Sequence, residues 1–126
     1  MILAIGAILG FISVAFGAYA EHGLKGTLSV ENLEIIMTAL HYNQIYAIVI
    51  SMIGFVIKNK GKLVDNIILK ISGYLFILGT LLFSFGIYTS TLLEIPQLLR
   101  LAPIGGTTLM LGWVALAVVG ILQRRN

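Results

Sequence analysis

Four side chains in this sequence are of a type that could bind an ion, move a proton or hold a polar headgroup: Glu21, His22, His41 and Gln44. A carboxylate with two imidazoles is a general acid–base set, and the same three groups are ligands that Zn²⁺ accepts. The spacing of His22 and His41 matches no metal signature, and the chain has no cysteine to complete a site. No metal and no cofactor is expected. A Ser-His-Asp set, a Walker loop, HExxH and a dinucleotide fingerprint are all missing. No enzyme is expected either, the one catalytic alternative being a lipid-acting acid–base site built from Glu21, His22 and His41. On one helix, Glu34, Thr38 and His41 share a face that Gln44 and Ser51 continue with drift, while Asn43 points elsewhere. Such a polar stripe beside Glu21 would suit a small oligomeric transporter or channel. Interfacial anchoring and interhelical hydrogen bonds account for the same residues without one.

The elements that must position these groups follow from composition. A chain of 126 residues forms at most one domain. Charged residues make up 10% of it, against about 25% in an ordinary soluble domain. Apolar residues make up 59%, and the mean hydropathy is +1.04. Too few polar groups exist to cover a water-soluble surface, so apolar side chains must face lipid. The net charge of +3 comes from basic residues at the ends of apolar runs, which does not point to nucleic acid. Four runs approach the ~20 apolar residues that a membrane-spanning helix requires: about 2–20, 30–57, 67–93 and 104–123. Short connections favour antiparallel neighbours, so residues 1–126 read as one all-α, up-down-up-down, integral membrane four-helix bundle. Ser29 is placed to cap the second helix with Glu31 in its first turn. Pro103, before Ile104-Gly105-Gly106, is placed to start the fourth. The first run ends in Ala18-Tyr19-Ala20, which resembles a signal cleavage site. No basic residue precedes it, so it reads as a retained helix.

Orientation follows from the distribution of Lys and Arg. Lys58, Lys60, Lys62 and Lys70 flank the second loop, and Arg124 and Arg125 end the chain. The remaining two basic residues, Lys25 and Arg100, share the other side with Glu21, Glu31, Glu34 and Glu94. Both termini are expected in the cytoplasm, with the chain in a bacterial inner membrane. Tyr19, Tyr42 and Tyr88 suit an outer aromatic belt, and Trp113 reads as a packing residue. Gly6, Gly10, Ser13 and Gly17 lie on one face of the first helix, a small-residue stripe suited to close helix packing. That stripe serves contacts inside the bundle or with a second copy, and packing within the bundle is the simpler reading. Expected partners are membrane lipids, another copy of the chain or a partner membrane protein.

A family resemblance rests on motifs spread along the chain. Ala15-Phe16-Gly17-Ala18 is followed by His22-Gly23-Leu24-Lys25, then Thr38-Ala39 and Tyr42. Phe83-Ser84 with Tyr88, Pro103-Ile104-Gly105-Gly106 and Gly112-Trp113 come after them in order. This set resembles domain-of-unknown-function family 423, the YgdD-like small four-helix membrane proteins. The resemblance implies an inner-membrane protein without an assigned biochemical activity, with some members tied to membrane integrity. The sequence departs from the family pattern at three places. Tyr19-Ala20-Glu21 looks like an insertion before His-Gly-Leu. The usual Tyr-Gln and later His of helix 2 stand as Tyr42-Asn43 and Tyr46, and the usual Ser-Gly-Ser of helix 3 stands as Ser84-Phe85-Gly86. The His-Gly-Leu-Lys and Pro-Ile-Gly-Gly segments are expected on the same side of the membrane.

Overall fold

A computed structural model of the chain describes residues 1–59 and 67–125. Lys60 and Lys62 of the expected basic loop lie outside the described residues, as do the side chains of Arg124 and Arg125. Four helices are long and apolar enough to cross a bilayer. They are α1 (Ile2–Leu24), α2 (Val30–Lys58), α3 (Ile67–Leu92) and α4 (Leu101–Arg125). At ~1.5 Å per residue, the 29 residues of α2 exceed a hydrocarbon core of ~30 Å, so its first turns project beyond it.

The helix ends follow local chemistry. Ser29 caps α2, its hydroxyl accepting the Asn32 N–H at 3.1 Å. Asn59 closes the other end, its side-chain amide donating to the Phe55 carbonyl at 2.9 Å. α1 runs past residue 20 because its last turn, Ala20–Leu24, is wide. The Lys25 N–H reaches the Ala20 carbonyl five residues back, at 3.1 Å. A single wide turn takes up extra residues without breaking a helix, and this one begins at Ala20, directly after Tyr19. Leu81–Phe85 forms a second wide turn within α3. The fourth helix begins at Leu101 rather than near Ile104, after a tight turn over Pro96–Arg100. Pro103 therefore sits in the first turn, where a missing N–H leaves no bond unmade.

Successive helices run antiparallel. α1 meets α2 with Gly54 against Leu3, Gly6 against Ser51 and Gly17 against Leu40. α3 meets α4 with Gly79 against Leu109, Gly105 against Phe83 and Gly112 against Phe76. α2 meets α3 through Ser84 with Ala39, and Asn43 with Tyr88. The small-residue stripe of α1 thus contributes Gly6, Gly10 and Gly17 to contacts with α2 inside the bundle. Met1, Lys58 and Lys70 line one groove at one end of the bundle, and Val119 and Gly120 of α4 lie beside Val56 and Leu69 of the same end. Side chains such as Phe11, 74% exposed, and Val14, 71% exposed, can only face lipid in such a molecule.

Gly54 and Gly120 separate packing from helix propensity. A Cβ on Gly54 would overlap the backbone nitrogen of Leu3 and lie 2.6 Å from its Cα, whereas one on Gly120 meets nothing within 4 Å. Gly54→Ala is expected to lower the thermal unfolding midpoint in detergent. Gly120→Ala is expected to leave it unchanged or raise it, since Ala exceeds Gly by ~1 kcal/mol in helix propensity. A drop of equal size in both variants would refute the close α1–α2 approach.

Candidate functional site

The motifs that carry the family resemblance meet at the end of the bundle opposite Lys58. Ala20 and Leu24 of α1, Ile36 and Ala39 of α2, Ile87 and Tyr88 of α3, and Ala102 of α4 form one buried cluster. His-Gly-Leu-Lys, through Leu24, and the residue before Pro-Ile-Gly-Gly, Ala102, therefore belong to one cluster at one end of the bundle. Phe16 stacks on Tyr88 with ring centroids 4.3 Å apart, and Tyr42 stacks on Phe83 at 4.6 Å. Gly105 is where α4 reaches the wide turn of α3, and a Cβ there would lie 2.5 Å from the Phe83 nitrogen and 2.8 Å from the Gly79 carbonyl oxygen. Gly106, its neighbour, has nothing within 4 Å of an added Cβ and opens onto a groove.

Neutral polar groups tie these helices together. Ser84, on the wide turn, donates to the Ala39 carbonyl of α2 at 2.8 Å. Asn43 is fully buried and its side-chain N–H₂ donates to the Tyr88 hydroxyl at 3.3 Å. The Asn43 carbonyl oxygen has no hydrogen-bond partner. Deeper in the bundle, the Trp113 indole donates to the Tyr46 hydroxyl at 2.8 Å, joining α4 to α2. Ser72 donates to the Gly112 carbonyl at 3.0 Å, joining α3 to α4. In a medium without water each such bond satisfies a group that would otherwise stand unpaired.

The residues singled out by chemical type lie elsewhere. Glu21, His22, His41 and Gln44 are all exposed on the surface of the bundle. No hydrogen bond or ion pair joins Glu21, His22 and His41 to one another. Gln44 faces a groove along α1 and α2 together with Gly6, Gly10 and Ser13. Gly23 and Lys25 are exposed, while Leu24 is buried. Among the described residues no group of three or more His, Cys, Asp or Glu is placed to hold a metal ion. Tyr88 departs from its expected place in an aromatic belt: it is only 4% exposed, because Phe16 and Asn43 enclose it. Chemical type alone overlooked Asn43, Tyr46 and Arg100. Asn43 had a signal, a lone amide on the helix face that also carries Ile36, Ala39 and Ile50.

A lateral groove of about 930 Å³ opens between α2 and α4. Tyr42, Tyr46, Phe83, Met110 and Trp113 wall it, and Arg100 stands at its mouth. Tyr42, Phe83, Pro103, Gly106 and Trp113 bring five of the motif positions to this one surface.

These features define a class: a small four-span helical membrane protein whose core is pinned by neutral polar groups at one end. The chain belongs to the family described as "Protein of unknown function (DUF423)", whose profile matches residues 16–106. It is similar to a UPF0382 membrane protein of Haemophilus influenzae, 33% identical over 88% of this chain and 86% of that one. The inner membrane protein YgdD of Escherichia coli K12 is 31% identical over 95% of this chain and 88% of its own. YwdK of Bacillus subtilis is 26% identical over 93% of each. No solved structure matches the chain. By family and by its four spans, this is a multi-pass inner-membrane protein.

The Asn43–Tyr88 bond is open to a double-mutant cycle. Asn43→Ala and Tyr88→Phe are expected to couple by roughly 0.6–1.7 kcal/mol, the range for interhelical hydrogen bonds in membranes. Unfolding of both single variants and the double variant in mixed micelles measures this. Strict additivity would remove the bond from the account of stability.

Proposed function

We propose that this chain is a non-enzymatic, lipid-binding protein of the bacterial inner membrane, and that a lipid held between α2 and α4 is its contribution to membrane integrity. The observation that carries this reading is the lateral groove. Its volume, about 930 Å³, falls at the upper end of ligand sites, which run ~300–1,000 Å³. Its walls are aromatic and aliphatic, as an acyl chain requires, and the one cation at its mouth suits a phosphate headgroup. Arg100 makes no ion pair among the described residues, which leaves its guanidinium free for such a group. The exposed, mutually unlinked positions of Glu21, His22 and His41 support a role without acid–base chemistry. Among the described residues the buried polar side chains other than tyrosine are Ser13, Asn43, Ser72, Thr80, Ser84 and Ser90, none of them charged, which favours a binding role over an ion path.

The reading also takes both termini as cytoplasmic, on the positive-inside rule. Because the chain has no cysteine, single cysteines report its topology directly. Gln97→Cys is expected to react with a membrane-impermeant maleimide on intact cells, and Asn59→Cys only after permeabilisation. The opposite pattern would invert the orientation.

Occupancy is tested with a phospholipid that carries a photoactivatable acyl chain. Crosslinks are expected to concentrate on groove residues such as Met110, relative to Phe11 and Val14 on the lipid face of α1. Gly106→Phe, which fills open space in the groove, is expected to remove that excess. Uniform labelling of all lipid-facing residues, or an excess that persists in the filled variant, would sink the lipid reading of this groove.

A further inference from the structure

The opposite end of the bundle holds a second feature, which stands independently of the α2–α4 groove. A recess of about 540 Å³ opens between α1, α2 and α3. Lys58, from the last turn of α2, and Lys70, from the first turns of α3, both line it, with Tyr74 one turn beyond Lys70. Leu3, Gly54 and Ile57 form apolar wall, and Met1, with its backbone amine, lines the recess as well. We infer that this recess binds the headgroup of an anionic phospholipid, its phosphate held by Lys58, Lys70 and Tyr74.

Charge carries the argument. Two lysines line one recess, and Lys70 is half-buried near the start of a helix long enough to cross the membrane. Two like charges beside one recess repel each other unless an anion meets them. Among the described residues, neither lysine side chain nor the Tyr74 hydroxyl has a hydrogen-bond or ion-pair partner. The four glutamates of the chain cannot supply one, since Glu21, Glu31, Glu34 and Glu94 all belong to the other end. Asp65 lies outside the described residues, so its part is decided by experiment below.

Geometry selects a lipid over a soluble anion. A lysine carries its charge on a four-carbon stem that lies along apolar surface, with the head at the interface. A phosphodiester at that level accepts from both ammonium groups and from the phenol, with charge-assisted bonds. Its acyl chains then continue along the apolar wall towards Leu3 and Ile57. A free phosphate would satisfy the two charges and leave that wall empty. Basic pockets between membrane helices are known to take anionic headgroups on this principle. A zwitterionic lipid brings its own cation to the site, and two lysines disfavour it.

The experiment uses the full chain in nanodiscs of phosphatidylcholine doped with phosphatidylglycerol, with co-purified lipid counted by native mass spectrometry after mild extraction. Wild-type protein is expected to enrich phosphatidylglycerol over its share in the disc. Attraction near an anionic headgroup is worth roughly a fivefold affinity ratio per basic residue. Lys58→Gln with Lys70→Gln is therefore expected to abolish the enrichment. Lys58→Arg with Lys70→Arg is expected to keep it, which guards against a loss that merely reports misfolding. The double glutamine variant leaves Arg100 and the α2–α4 groove unaltered, so failure here and failure of that groove are read separately. Asp65→Asn is expected to leave it unchanged or increased.

Equal retention of both lipids by the wild type would overturn the inference. So would enrichment that survives the double glutamine variant. Loss on addition of millimolar inorganic phosphate at constant ionic strength would assign the recess to a soluble anion instead.

Discussion

A helix in hydrocarbon gains nothing by hiding apolar side chains from its solvent, so this bundle depends on how closely its backbones approach one another. Glycine sets that distance in both helix pairs. Gly6 lets α1 rest against Ser51 of α2, Gly54 lets α2 rest against Leu3 of α1, and Gly79, Gly105 and Gly112 let α4 rest against α3. Each pair is a separate close contact, and α2 and α3 then join the pairs across the centre. The order of assembly in space follows the order of the chain, as short connections require.

Close approach has a second consequence. Once backbones nearly touch, short hydroxyls reach carbonyls on the next helix, as Ser84 reaches Ala39 and Ser72 reaches Gly112. Serine can pin α3 to both neighbours only because its wide turn and the glycines bring them within 3.0 Å. α4 has a narrow buried stripe, with Ala102, Gly105, Leu109, Gly112 and Val119 turned inward. Its far side is left to lipid. The gap between α4 and α2, bridged by Trp113 and Tyr46, is what makes the lateral groove.

Much of this was legible in the residues. Length and hydropathy give four spans, because a bilayer imposes a length on every helix that crosses it. Ser29 marks a helix start through capping and does so in the fold, whereas the fourth helix begins at Leu101, two residues before Pro103. The small-residue stripe of α1 names its own face but not its partner, and the fold supplies α2. The site was less legible, because the search for chemistry weighted ionisable groups. Charge is easy to see and in a membrane belongs mostly at the edges, which is where Glu21, His22 and His41 stand. Asn43 is a neutral amide whose role depends on what faces it. Tyr88, sited by type in an aromatic belt, is instead enclosed by Phe16 and Asn43, contacts across three helices that periodicity in one helix does not reveal.

The departures from the family pattern on α2 bear on what members can have in common. At the positions where the pattern has glutamine and histidine, this chain has Asn43 and Tyr46, and both are buried. Both still form bonds between helices, Asn43 with Tyr88 and Tyr46 with Trp113. His41 is exposed on the bundle surface, whereas Tyr46 is buried beside Phe76 and Trp113. The two positions thus serve contacts between helices in this chain: Asn43 ties α2 to α3, and Tyr46 ties α2 to α4 next to the groove that Tyr46 and Trp113 line.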